Sequence, residues 1–140
     1  MDRVLFDVTE RAEIVNVPVI TDMVDAELEK LDASMKALMQ INIAIDELFS
    51  NIAKYAYGDE GGDARVIMSF CEDRNEVSLT FMDSGARYDP TAQEDPDVTL
   101  PAEERGIGGL GILLVKKSMD GIGYEYKDGQ NCLTIKKIIR

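Results

Sequence analysis

The sequence predicts an α+β two-layer sandwich in which three helices cover one face of a mixed, mostly antiparallel sheet of about five strands. Two observations carry this prediction. The predicted elements follow the order β, α, α, β, β, loop, α, β, β, which differs from the regular alternation of a parallel α/β fold. Asp128-Gly129 also separates two strand-like segments, which is a strong hairpin signal. With 140 residues, of which 45% are hydrophobic, the chain suits one domain over residues 1–140.

The first half of the chain predicts one strand and two helices. Val4 to Thr9 combines β-branched and aromatic residues and predicts a first strand at a sheet edge. From Val17 to Leu31 apolar residues recur at helical spacing, and Pro18 fits a first turn. Ser34 can cap a second helix. The apolar stripe of this second helix has a helical period: Ile41, Ile45, Leu48, Ile52 and Tyr55.

The second half predicts four strands and a third helix. The segment from Ala86 to Arg105 contains three prolines and no apolar period, so it predicts a long loop. Loops of this length within compact domains are often functional lids. The glycine-rich segment from Gly106 to Gly111 opens the third helix. The four strands are predicted at Ala64 to Cys71, Val77 to Met82, Gly121 to Lys127 and Asn131 to Ile139.

The charge of the chain limits its partners. A formal net charge of -12 argues against direct nucleic-acid binding, because that binding depends on phosphate neutralisation by Lys and Arg. A bound phosphate must therefore be held locally by backbone amides, a metal and a few cations. No signal-type segment and no membrane-length apolar run is present, so we expect a cytoplasmic protein that does not bind membranes. Cys71 and Cys132 each lie alone in strand-like segments, and we expect both to be buried.

The second predicted helix carries the first candidate site. Glu47 and Asn51 are four residues apart, so their side chains leave the same helix face and can converge on one ligand. We interpret this ligand as a metal-bound phosphate. The alternative is an ordinary solvated helix face, because both residues border a polar sector of the helical wheel.

The glycine-rich segment and the acidic turn from Asp83 to Gly85 are the other candidates. Gly106-x-Gly108-x-x-Gly111 matches a dinucleotide-binding fingerprint, but it follows a long loop instead of the first strand of a βαβ unit. Its glycines could let backbone N–H groups approach an anion at a helix N-terminus, or could form only a lid hinge and cap. Asp83, directly after a strand, is either a turn aspartate or an acceptor for the amino group of adenine.

Together the three motifs resemble the ATPase superfamily shared by DNA gyrase, histidine kinases and mismatch-repair ATPases, and most closely its anti-sigma factor serine/threonine kinases. The resemblance covers nearly the whole chain and implies the histidine kinase-like ATPase fold. Its three boxes are E-x-x-x-N at Glu47 to Asn51, D-x-G at Asp83 to Gly85, and G-x-G-G-x-G at Gly106 to Gly111. Three further features resemble the anti-sigma branch: Ala56-Tyr57, the DSGARYDP run from Asp83 to Pro90, and Glu104-Arg105.

The resemblance implies a role for each motif residue in binding ATP and Mg²⁺. Glu47 would be the general base, and Asn51 would be the Mg²⁺ ligand. Asp83 would contact adenine with Gly85 beside it, and Arg105 would lie near the γ-phosphate. The remaining implied nucleotide contacts are Lys54, Tyr55, Gly106, Ile107, Gly108, Gly109, Leu110 and Gly111.

The resemblance also implies a function and partners. The protein would phosphorylate a serine or threonine of an anti-sigma antagonist protein, would sequester a sigma factor, and would form a homodimer. One departure is Tyr55, which stands where many anti-sigma kinases have a histidine. A nucleotide-gated protein-binding regulator without useful kinase activity is therefore an alternative hypothesis, and a structural domain with a vestigial pocket is a third. The chain contains no histidine, which excludes a histidine kinase that acts on itself.

Overall fold

A computed structural model of the chain describes residues 2–92 and 109–140, with side chains from residue 111 onward in the second segment. The described helices and strands follow the predicted order. They are β1 (Asp2–Arg11), α1 (Val17–Lys30), α2 (Met35–Tyr55), β2 (Asp63–Cys71), β3 (Glu76–Asp83), α3 (Gly109–Ser118), β4 (Gly121–Lys127) and β5 (Gln130–Ile138).

The five strands form one sheet in the order β1-β2-β3-β5-β4. All four pairings between these described strands are antiparallel. This arrangement confirms the predicted α+β fold and the edge position of β1. After α3 the chain returns as β4 at the far edge, and the hairpin then places β5 beside β3. The register of this central pair sets Asp83 directly opposite Asn131.

The N-terminal cap of helix α2 agrees with the sequence prediction, whereas the burial of its last residue does not. The Ser34 hydroxyl accepts a hydrogen bond from the Ala37 N–H at 3.1 Å, which satisfies one of the free amides of the first turn. Ile41, Ile45 and Leu48 are buried as expected. The prediction is wrong for the last residue of the stripe, because Tyr55 is 64% exposed. It lies at the end of the helix and lines a cavity instead of the core.

The hydrophobic core lies between the inner face of the sheet and the helices. Alternate strand residues point into it, because successive side chains of a strand leave opposite faces. The largest fully buried side chains include Phe49 and Ile20 from the helices and Phe81, Met68 and Leu79 from the sheet. Burial of each such side chain contributes about 1.5–3 kcal/mol. Two polar residues interrupt this face, Asp83 and Asn131, and each is only 6% exposed.

The two cysteines differ in burial. Cys71 is buried, as the sequence predicts. The prediction is wrong for Cys132, which is half-buried, because the alternation of β5 places it opposite Met82 and away from the core face. Within the described segments, no helix combines the length and apolar character needed to cross a membrane.

Candidate active site

A cavity of about 500 Å³ opens between the C-terminal half of α2 and the inner-face ends of β3 and β5. Its volume falls in the range of about 300–1,000 Å³ that is typical of small-molecule sites. The apolar part of its lining comes from Leu48, Ile52, Phe81 and Leu133. Asn51 and Asp83 supply polar groups to the same lining. The cavity therefore joins two of the three sequence motifs.

Helix α2 presents Asn51 to this cavity. Within residues 2–92 and 109–140, the Asn51 amide makes no hydrogen bond, so its polar atoms are free to contact a ligand in the cavity. Glu47 lies one turn earlier and is partly buried. Asn51 borders a cavity and Glu47 packs against another helix, so the two side chains do not form an ordinary solvent-exposed helix face.

Glu47 contacts the first turn of α3. A Cβ atom at Gly111 would lie only 2.0 Å from the Glu47 Oε1 atom, so a larger residue at this position would displace the Glu47 carboxylate. Burial raises the pKa of the Glu47 carboxyl, and the positive charge of Lys54 partly opposes this shift, while Asp46 adds to it. A carboxylate with a raised pKa is a better proton acceptor near neutral pH than an exposed glutamate.

The two carboxylate oxygens of Asp83 differ in their partners. Oδ1 accepts hydrogen bonds from the Gly85 N–H at 3.0 Å and from Asn131 Nδ2 at 2.9 Å. Oδ2 accepts none from the described residues. The turn-aspartate interpretation is therefore correct for Oδ1, because it binds the backbone two residues on. Oδ2 remains available to a ligand in the cavity.

The acidic turn packs so closely against the end of α2 that position 85 has no room for a side chain larger than that of glycine. A Cβ atom at this position would lie 2.2 Å from the Ala56 carbonyl oxygen. This same carbonyl accepts a hydrogen bond from the Ala86 N–H at 2.9 Å. The Tyr57 hydroxyl accepts from the Ser84 N–H at 2.8 Å and donates to the Asp63 carbonyl oxygen. The Ala56-Tyr57 pair thus fixes the turn that carries Asp83.

With this geometry established, comparison with known proteins assigns the family. Residues 11–137 match the family model described as the histidine kinase-like ATPase domain. The chain belongs to this ATPase family. The described fold and the motif spacing agree with that assignment.

Three relatives of this ATPase domain are named protein kinases. The chain is 31% identical over 102 residues to serine/threonine-protein kinase BtrW of Bordetella bronchiseptica, covering 73% of this chain and 71% of the relative. It is 32% identical over 110 residues to serine-protein kinase RsbW of Listeria monocytogenes, covering 75% and 69% respectively. RsbW of Bacillus cereus is 30% identical over 104 residues, with coverage of 71% and 64%.

Some of the remaining predicted site residues lie in the described part of the ATPase domain, and the others lie outside it. Tyr55 lines the cavity, whereas Lys54 is exposed and its charge acts on Glu47. Gly109 starts the described part of α3. The other predicted contacts lie outside the described residues, or outside the described side chains in the case of Leu110: Arg105, Gly106, Ile107, Gly108 and Leu110.

Several cavity residues of the ATPase domain were not predicted from the sequence. Arg87 and Tyr88 line the cavity directly after the acidic turn, and Tyr124 and Asn131 line it from the last hairpin. The Arg87 guanidinium lies 5.0 Å from the centroid of the Tyr126 ring. The DSGARYDP run includes Arg87 and Tyr88 and could have indicated them. No local pattern indicates Tyr124 or Asn131, because they reach the site only through strand pairing.

The site fits a magnesium nucleotide better than a metal held by protein alone. The described residues contain no group of three or more His, Cys, Asp or Glu side chains placed to hold a metal ion. Mg²⁺ prefers oxygen ligands and is often bound through substrate phosphates, water and one or two side chains. The unpaired Asn51 amide at the cavity wall fits such a single protein ligand.

Proposed function

We propose that this protein binds ATP with Mg²⁺ in the cavity and transfers the γ-phosphoryl group to a serine or threonine of another protein. The observation that carries this proposal is the unpaired Oδ2 of Asp83 in an apolar cavity that Asn51 also lines. Two relatives are named serine/threonine-protein kinase and serine-protein kinase, and these names support the same chemistry.

Asp83 selects the base. The exocyclic amino group of adenine donates to the free Oδ2, and the flat ring packs between apolar side chains such as Ile52 and Leu133. Guanine presents a carbonyl oxygen at the same edge, so two acceptors would face each other. A buried unpaired acceptor weakens binding strongly, and GTP is therefore rejected.

Glu47 and Asn51 act on the phosphates and the attacking hydroxyl. Asn51 would hold Mg²⁺ through its side-chain oxygen, and the ion would supply positive charge to the bound phosphates. Glu47 orients the incoming hydroxyl and accepts its proton while the γ-phosphoryl group moves to the hydroxyl oxygen and ADP leaves. The segment from Arg105 to Gly111 holds the phosphates, and the positive end of α3 assists it.

The partners follow from the resemblance to anti-sigma factor kinases. The phosphorylated protein is an anti-sigma antagonist, and another surface of the kinase sequesters a sigma factor. The protein acts in the cytoplasm as a homodimer. Its net charge of -12 supports a protein partner over a nucleic acid.

The test is phosphate transfer from γ-labelled ATP to a purified candidate antagonist domain. We expect labelling by the native protein and a loss of about 10²–10⁴-fold in rate for Glu47→Gln, the usual contribution of a general base. Asp46→Asn is the matched control, because Asp46 is an exposed carboxylate on the same helix. Equal labelling by native protein and Glu47→Gln would rule out Glu47 as the base.

A nucleotide-gated binding regulator is the second candidate, and Tyr55 favours it. This side chain is 64% exposed at the cavity where many related kinases have a histidine. Two measurements together separate the candidates: a pull-down of the antagonist and sigma factor in each nucleotide state, and the rate of phosphate transfer. Partner binding that requires ATP, with no turnover above that of Glu47→Gln, supports the regulator and contradicts the kinase.

A further inference from the structure

The Asn131 side chain joins the acidic turn, the segment that follows it and the last hairpin. Its Nδ2 donates to Asp83 Oδ1 at 2.9 Å and to the Ala86 carbonyl oxygen at 2.9 Å. Its Oδ1 accepts from the Tyr88 N–H at 3.0 Å and from the Tyr124 hydroxyl. An amide has two donor hydrogens and two acceptor lone pairs, so the hydrogen-bonding capacity of Asn131 is completely used.

These partners require an amide at position 131. The amide nitrogen faces two acceptors, the Asp83 carboxylate and the Ala86 carbonyl oxygen. The amide oxygen faces two donors, the Tyr88 N–H and the Tyr124 hydroxyl. An aspartate would place a second carboxylate against Asp83, and alanine would leave four polar groups without this partner. Since Asn131 is only 6% exposed, water cannot easily replace these bonds.

We propose that Asn131 is a positioning residue that sets adenine selectivity by directing Asp83. Its Nδ2 and the Gly85 N–H together occupy Oδ1, which fixes the carboxylate plane and leaves Oδ2 for the base. The inference rests on the proposed function, because it assumes that the Asp83 carboxylate meets the amino group of adenine.

The same amide joins Asp83 to the backbone of the segment that follows the acidic turn. Ala86 and Tyr88 are the first and third residues after the acidic turn, and Asn131 binds the backbone of both. A change in the position of Asn131 therefore moves Asp83 and this segment together. The hydrogen bond from Tyr88 N–H provides a probe of this link in the protein without nucleotide.

The test compares ATP with purine riboside triphosphate, which lacks only the exocyclic amino group. We expect Asn131→Ala to weaken ATP binding about tenfold or more, in line with the loss of a hydrogen bond to a charged group, and to change the analogue's affinity by much less. Gln130→Ala is the matched control, because the neighbouring Gln130 makes one exposed side-chain bond, to Ser84 Oγ. This control should retain the native preference for ATP.

A second variant keeps the size of the side chain and gives a pH readout. In Asn131→Asp two carboxylates face each other, and they can share a proton only at lower pH. We expect the ATP affinity of this variant, relative to that of the native protein at the same pH, to rise as the pH falls. Hydrogen exchange should also be faster at the Tyr88 amide of Asn131→Ala than in Gln130→Ala.

The outcomes separate the inference from the proposed function. If the native protein binds ATP and the analogue equally well, the adenine contact of Asp83 is wrong, and the inference falls with it. If the native protein prefers ATP and Asn131→Ala keeps that preference, only the inference is overturned. Equal weakening of both nucleotides would assign Asn131 a general structural role and would also overturn it.

Discussion

At the scale of the residue, the environment of Glu47 makes stability depend on pH. Burial raises the pKa of this carboxyl in the folded state, so the folded protein binds more protons than the unfolded chain between the two pKa values. The stabilising contribution of the protonated group is complete below the unfolded pKa. It is lost as the pH rises through the folded pKa.

We therefore expect Glu47→Gln to be more stable than the native protein at neutral pH and equally stable in acid. The gain should not exceed about 1 kcal/mol, because solvent screens a partly exposed charge. Denaturant unfolding across a pH series measures this difference, with Asp46→Asn as the control. A Glu47→Gln variant that loses stability at neutral pH would contradict a desolvated carboxylate.

Gly85 carries a second prediction at this scale. In Gly85→Ala the added methyl group collides with the Ala56 carbonyl, a backbone atom that cannot rotate away. We expect a loss of about 1–3 kcal/mol in the free energy of unfolding, as in overpacked sites, together with weaker ATP binding. Gly123→Ala is the control, because its Cβ would meet nothing within 4 Å. Equal losses in the two variants would contradict the steric explanation.

At the scale of the element, α2 serves two purposes along its length. Its buried core residues extend from Ala37 to Phe49, whereas Asn51 and Tyr55 in its last turns line the cavity. The helix continues past Phe49, its last buried residue, and this extension carries the cavity residues. A stable start of α2 therefore also supports the position of the site at its other end.

The cap of α2 can be tested directly. Ser34→Ala removes the acceptor for the Ala37 N–H, and we expect it to cost about 1 kcal/mol, within the range of about 0.5–2 kcal/mol for N-caps. Ser50→Ala is a matched control within the same helix. Denaturant midpoints give both values, and an equal loss in the two variants would show that the cap contributes nothing specific.

At the scale of the whole molecule, the cavity is built by both layers of the fold. Leu48 and Ile52 come from the helical layer, whereas Phe81 and Leu133 come from the sheet. A ligand that contacts both layers binds the folded state and not the unfolded chain. Nucleotide binding should therefore stabilise the entire two-layer structure.

We expect ATP with Mg²⁺ at 100 times its Kd to raise the free energy of unfolding by about 2.7 kcal/mol. Thermal unfolding followed by circular dichroism measures the shift. GTP with Mg²⁺ at the same concentration is the control and should give no shift if Asp83 makes the proposed contact with adenine. An equal shift with GTP would contradict the proposed base contact.

The sequence by itself determined the features that depend on neighbouring residues. The helical period, the Ser34 cap and the Asp128-Gly129 hairpin follow from local backbone geometry, and they predicted the order and class of the elements. The spacing of Glu47 and Asn51 on one helix is local in the same sense. The motif order also predicted the ATPase family, which the comparison confirms.

Only the tertiary structure decided how distant residues meet. Asp83 and Asn131 are 48 positions apart, and strand pairing with one exact register makes them neighbours. Likewise, the approach of Gly111 to Glu47 depends on helix packing. No local pattern encodes such contacts. Each helix or strand alone is compatible with several packing arrangements, and only the packing of the whole core selects one of them.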